Sequence, residues 1–167
     1  MKYLFLLFSL VLISCQNKHK KNLAAESDNN SMELNKKITL MTLDPGHFHA
    51  ALVQKSMYDQ INKTVYVYAP DGVDVKDYLN RIKGYNSRKE NPTSWIEKVY
   101  TGKDYFEKML IEKPGNVMVV SGKNNRKMEY IKAAIDAGIN VYADKPMVIS
   151  PEDFKILEEV LQIAAQK

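Results

Sequence analysis

Residues 116–147, NVMVVSGKNNRKMEYIKAAIDAGINVYADKPM, constrain the fold more than any other stretch of the chain. Val117 to Val120 is a short apolar run rich in β-branched side chains, and it reads as a strand. Polar turn residues follow, and then Met128, Ile131, Ala134 and Ile135 recur at helical spacing. Ala137-Gly138 closes that helix, and Ile139 to Ala143 begins a second strand. A strand, a helix and a strand in so short a span imply a right-handed crossover within a parallel sheet. Ligands of open parallel sheets sit beyond the carboxyl ends of the strands. Lys145, in Asp144-Lys145-Pro146, is expected at such an end.

The same alternation runs back to residue 37. Lys37 to Leu43 reads as a first strand, broken by Asp44-Pro45-Gly46, and His47 to Gln60 has the pattern of a helix. Thr64 to Ala69 is a second strand closed by Pro70-Asp71-Gly72, followed by a helix from Val75 to Lys83 that ends near Gly84. Residues 84–95 read as loop, Ile96 to Tyr100 as a third strand, and Lys103 to Glu112 as a helix ending at Pro114-Gly115. The last helix runs from Pro151 to about Ala165, with Ser150 as its N-cap and Glu152-Asp153 in its first turn. Five strands alternating with five helices predict an α/β fold, a doubly wound parallel sheet of Rossmann-like type, forming one domain over residues 37–167.

The amino-terminal part is of a different kind. Lys2 precedes an apolar run from Tyr3 to Ile13, which suits a signal peptide but is too short to span a bilayer. Leu12-Ile13-Ser14-Cys15 resembles a bacterial lipoprotein cleavage box, so residues 1–14 are expected to be a lipoprotein signal and Cys15 the lipidated residue. Each buried acyl methylene contributes about 0.8 kcal/mol, so two or three chains would anchor the protein stably. Cys15 is the single cysteine, which excludes an intramolecular disulfide. Residues 15–36 are polar and without periodicity, as expected of a flexible tether. The expected location is therefore exported, tethered by lipid to a periplasmic or outer membrane face. The net charge of +4 is modest and partly resides in the tether lysines. No basic helix or aromatic-interleaved basic ribbon accompanies it, so nucleic acid is not an expected partner.

The strand ends supply the candidate site residues. A dinucleotide domain carries G-x-G-x-x-G at its first strand-to-helix turn, where backbone amides meet pyrophosphate. Here only Gly46 matches, with Met41 and Leu43 at the other glycine positions and Asp44 expected to repel phosphate. His47 and His49 suggest either a metal pair or a capping and cleft-facing pair. On the first turn of a helix, residues i and i+2 point about 200° apart, which suits one shared metal poorly, and no metal is expected. Asp71 is placed to take ribose hydroxyls or simply to form the Pro-Asp-Gly turn. Gly122 permits close backbone approach, and Asn124 offers a donor and an acceptor to a ligand. Asn125 reads as a helix cap and Lys127 as a surface residue. Lys145 is the candidate catalytic residue, able to hold a substrate hydroxyl or assist a proton transfer.

Asn124, Ala137-Gly138, Val141-Tyr142-Ala143 and Asp144-Lys145-Pro146, in this order, resemble the Gfo/Idh/MocA family of NAD(P)-dependent oxidoreductases, specifically its N-terminal Rossmann domain. Gly46-His47-Phe48-His49 is similar to the family's final glycine with His three residues on, and Asp144 stands for its usual Glu. Val99-Tyr100-Thr101 and Tyr105-Phe106 look like its third strand and following helix, and Lys127 stands where it often has His. The DPGHFHAALVQK turn is also similar to a subgroup of exported relatives. The resemblance implies NAD or NADP lying across the strand ends, contacted by Gly46, His47, His49, Asp71, Gly122, Asn124 and Lys145. Lys145 would then orient a sugar or polyol hydroxyl. It also implies a second α/β domain that would complete the substrate pocket, expected here on a separate chain or lost by truncation. Two other readings stay open: a non-catalytic interaction lipoprotein that keeps the fold, and a fragment of an NAD-dependent glycoside hydrolase. A metal-dependent hydrolase using His47 and His49 is a third.

Overall fold

The computed structural model describes residues 37–166, so the expected leader (1–14) and tether (15–36) lie outside the described residues. Strands and helices alternate as β1 (Leu40–Leu43), α1 (His49–Leu52), β2 (Thr64–Tyr68), α2 (Val73–Ser87), β3 (Ile96–Tyr100), α3 (Tyr105–Glu112), β4 (Val117–Val120), α4 (Lys127–Asp136), β5 (Asn140–Ala143) and α5 (Pro151–Ala164). The five strands form one sheet in the order β3-β2-β1-β4-β5, and every pairing is parallel. The chain therefore winds outward from β1 to β3, returns to the other side of β1, and winds outward again to β5. This is the doubly wound order, with its reversal between β1 and β4.

Side chains alternate between the two faces of the sheet, as a strand requires. Leu40, Val65, Val67 and Val119 face one layer, where they pack against Ala50 and Ala51 of α1 and Val75, Tyr78 and Ile82 of α2. Met41, Leu43, Tyr68, Met118 and Val120 face the other, against Tyr105, Phe106 and Met109 of α3, Met128 and Ile131 of α4, and Val160 of α5. The two cores share the three central strands. Strands buried on both faces read as continuous apolar runs, as β1 and β4 do.

Several elements depart from their sequence expectation. The helix expected over residues 47–60 is a single turn, His49–Leu52. Trp95 Nε1 takes the Gln54 carbonyl at 2.6 Å, and Arg88 Nη2 takes that of Lys55 at 2.7 Å. Those carbonyls are thereby withdrawn from any continuing helix. The Gln54 side chain is buried as well, accepting from the Tyr78 hydroxyl and donating to Glu97 at 2.9 Å. In contrast, α2 runs through Gly84 to Ser87, longer than expected. Its added turn is held by Tyr85 packed on the core and by Asn86 Oδ1, which accepts Thr93 Oγ1 at 2.6 Å and the Trp95 amide at 3.0 Å. The final helix begins as predicted: Ser150 Oγ accepts the Asp153 amide at 3.1 Å, and Pro151 stands at the first position. Among the described residues no helix is long and apolar enough to cross a membrane.

Candidate functional site

The reversal of strand order fixes where a ligand can enter. Leu43 pairs with Val120, so the turns after β1 and β4 leave the sheet side by side. They are joined by the Gly46 amide, which donates to the Ser121 carbonyl at 2.9 Å. Gly122 adopts φ +79°, and a Cβ there would lie 2.7 Å from the Gly46 carbonyl carbon. Only glycine allows two backbones to meet this closely in that conformation. On the other side of Gly46 lies the aliphatic stem of Lys123, whose Cε would be 2.9 Å from a Gly46 Cβ.

Asp44 departs from its expected role. Its side chain turns into the protein instead of facing the cleft, and it is buried. The Tyr130 hydroxyl donates to it at 2.9 Å and the Tyr105 hydroxyl at 3.4 Å, while Lys123 Nζ lies 3.6 Å away. Burial, reinforced by this carboxylate, pushes the Tyr130 hydroxyl up from its ordinary range. Asp44 is thus held by donors from α3, α4 and the β4 turn. Lys123 Nζ also meets Asp74 at 2.7 Å, so it spans from the β4 turn over Gly46 to the start of α2. The Asp74 hydrogen bond holds its ammonium above the usual lysine range.

The centre of the site is Asp144, just past β5, which the resemblance matched to the family's usual Glu without giving it a role. Its Oδ2 accepts Ser121 Oγ at 2.8 Å, and its Oδ1 accepts the Gly122 amide at 3.3 Å and the Lys127 ammonium. His49 Nδ1 and His47 Nδ1 lie 3.3 and 3.7 Å from Oδ2. Burial alone would raise the Asp144 carboxyl, but the hydrogen bonds from Lys127 and Ser121 outweigh it and hold the group below the ordinary carboxylate range.

Three expectations are corrected here. Lys127 is not on the surface: its side chain is 0% exposed. Its ammonium donates to Asp144, to the Asp144 carbonyl at 3.1 Å and to the Pro146 carbonyl at 3.0 Å. A buried lysine needs a counter-charge and several acceptors, and the β5 end supplies them. Nor do His47 and His49 diverge. His47 precedes the helix, so the 100° step per residue does not apply to it. The two rings pack edge to face with centroids 4.2 Å apart. Asn125, expected to cap α4, is exposed, and α4 starts after Arg126 without a side-chain cap.

Gly46, Asn124 and Lys145 stand at the carboxyl ends of three adjacent strands, β1, β4 and β5. Asn124 Oδ1 is buried and has no hydrogen-bond partner. A buried amide oxygen is costly to leave unpaired, which marks it as an acceptor available to a ligand. Lys145 is exposed and joined to Pro146 by a cis peptide bond. Asp71 lies apart, exposed past β2 and paired with Lys76 at 3.2 Å. Beside Asp144 and His49 opens a cleft of about 580 Å³ on the α1 face, walled mainly by Leu40, Val53, Val119 and Tyr142.

A doubly wound parallel sheet with glycine-mediated contact at its switch point is a Rossmann-type domain. Among solved structures, a candidate oxidoreductase from Parabacteroides merdae matches with TM-score 0.76 and 59% identity, over 79% of this chain and 30% of that one. Myo-inositol 2-dehydrogenase from Lactobacillus plantarum matches with TM-score 0.53 and 16% identity, over 76% of this chain and 33% of that one. GenD2 of gentamicin A biosynthesis, solved with NAD, matches with TM-score 0.55 and 16% identity, over 80% and 33%. At these identities the last two are alike in fold alone. No family model and no curated protein matches the chain. The neighbours are oxidoreductases of the Gfo/Idh/MocA type, and this chain shares their Rossmann fold. It spans about a third of the length of those neighbours.

Proposed function

We propose that this domain binds NAD or NADP across the carboxyl ends of β1 and β4 and forms the cofactor-binding part of an oxidoreductase for a sugar- or polyol-like substrate. The observation that carries the reading is the unpartnered, buried Asn124 Oδ1 beside the Gly46–Gly122 contact. A dinucleotide needs close backbone approach and a few fixed polar groups at the switch point, and both are available there. Solved neighbours with NAD, such as GenD2, support the same ligand class. The cofactor, when bound, supplies hydride chemistry. Gly46 and Gly122 would admit its backbone approach, Asn124 would meet a donor, and Asp71 would face the ribose end. His47 and His49 would stand beside it. Lys145, unencumbered at the rim, would hold a substrate hydroxyl and its proton. A second domain completing the substrate pocket, on this polypeptide or another, belongs to this proposal, as do the lipid anchor at Cys15 and an exported location.

One observation favours the rival reading, a lipid-anchored interaction module without cofactor: the Lys123 stem lies over Gly46, where phosphate would approach. Titration separates the two. NADH fluorescence should rise and shift on adding the full chain in detergent, and NAD should compete. No binding of either dinucleotide at millimolar concentration would reject the cofactor reading and leave the interaction module.

A further inference from the structure

His47, His49 and Asp144 present one ligand atom each within 4.8 Å of one another. We propose that these three side chains bind a single divalent transition-metal ion, of the zinc or cobalt class, at the carboxyl end of the sheet. Two imidazole nitrogens and a carboxylate oxygen are the donor set that such ions take when three ligands come from protein. Ligand atoms about 2.1 Å from a tetrahedral ion are roughly 3.4 Å from each other. The two histidine Nδ1 atoms lie 3.3 and 3.7 Å from Asp144 Oδ2, close to that spacing, and an ion would draw together the widest separation in the group, which is within 4.8 Å. His47, the more distant of the two, is 44% exposed and can close the gap by side-chain rotation.

The surroundings of the carboxylate argue in the same direction. The Gly122 amide and the Lys127 ammonium hold Oδ1, and Ser121 orients Oδ2 toward the histidines. Outer contacts of this kind fix a ligating carboxylate in place. The ammonium nearby does not stand uncompensated, because two main-chain carbonyls also accept it. It does draw charge from Asp144, leaving the imidazoles as the dominant donors. That selects a nitrogen-seeking ion over calcium or magnesium, which prefer several oxygens. Three protein ligands leave a coordination position for water or a substrate oxygen, and the apolar cleft beside His49 and Asp144 adjoins it. A hydroxyl or carbonyl oxygen bound there would be polarised by the ion. The inference does not depend on the dinucleotide: either can fail without the other.

Cobalt alone is the probe. The full chain in detergent, titrated with Co2+, should develop the visible absorption of a low-coordinate site and saturate at one equivalent, with Zn2+ displacing it and Mg2+ not. The His47→Gln and His49→Gln variants should each weaken binding by at least the roughly tenfold that loss of an outer-shell contact costs. His47→Gln removes no hydrogen-bond donor from the core, so its circular dichroism and melting without metal should match the parent chain. His19→Gln and Cys15→Ser, in the amino-terminal segment, should leave the cobalt affinity and stoichiometry unchanged. Failure to reach one equivalent would overturn the site. So would cobalt that stays bound in the His47/His49 double variant and is lost in His19→Gln.

Discussion

At the scale of single residues, Asp144 does more than any other side chain. It gathers Ser121, Gly122, Lys127 and two histidines, and it supplies the counter-charge of a lysine with no exposed surface. Asp144→Asn would leave the Lys127 ammonium with two carbonyls and no anion. We expect a loss of about 3 kcal/mol, the low end for breaking a buried ion pair because those carbonyls remain, read as a lower urea midpoint. The pH dependence has a definite sign. The folded-state carboxyl lies below its ordinary value of 3.8, so the stability it contributes is complete above that value and is lost as pH falls through the folded one. The gap between parent and Asp144→Asn midpoints should therefore be widest near neutrality and shrink below about pH 4. A gap that grew on acidification would contradict the assignment of charge. Lys127 was not legible as buried because a lysine's charge favours solvent, although Tyr130 and Ile131, three and four residues on, share its buried face. Its acceptors come from a strand end some seventeen residues on. The convergence of His47 and His49 was hidden for a related reason: it depends on where the helix starts, and one residue of difference redirects a ring.

At the scale of elements, the sequence reading located every strand and helix but misjudged the first helix. Periodicity extended it to Gln60, whereas the loop before β3 reaches across and captures its carbonyls through Trp95 and Arg88. Gln54 is the joint between these parts. Gln54→Leu keeps the backbone carbonyl that Trp95 uses but strips a partner from the Tyr78 hydroxyl and from Glu97. Tyr78 retains Thr42 at 3.2 Å, and Glu97 is partly exposed, so the loss should be near 2 kcal/mol. Far-UV circular dichroism of the variant should match the parent while its thermal midpoint falls. An unchanged midpoint would mean that Gln54 is not a joint. Shortening α1 to one turn also changes the candidate site, because a helix of that length presents little dipole to an anion. What approaches the turn must be met by Gly46, Gly122, Asn124 and Lys123.

At the scale of the whole domain, two apolar layers share β1, β2 and β4, so neither can melt while the other stands. Trp95 is the single tryptophan and lies buried in the α1–α2 layer, while Met118 points into the opposite one. Met118→Ala should cost about 2–5 kcal/mol. Trp95 fluorescence should nevertheless report the shift in full, coincident with circular dichroism. Separate transitions for the two probes would show that the layers unfold independently. The same shared sheet explains why the site assembles only in three dimensions: its residues come from turns after β1, β4 and β5, adjacent in space and far apart in the chain.

The alternation of apolar runs, helical periodicity and turn residues was sufficient to determine a parallel, doubly wound α/β domain, since burial on both faces and short crossovers leave few other arrangements. Gly46, Asn124 and Lys145 could be set at strand ends for the same reason. Only the tertiary structure decided that Asp144 is the hub, that Asp44 turns inward to two tyrosines, that Lys127 is buried, and that His47 and His49 face one oxygen. Those outcomes depend on hydrogen bonds and charges satisfied between segments 17 to 95 residues apart. Local sequence pattern carries no record of which distant partner will be there.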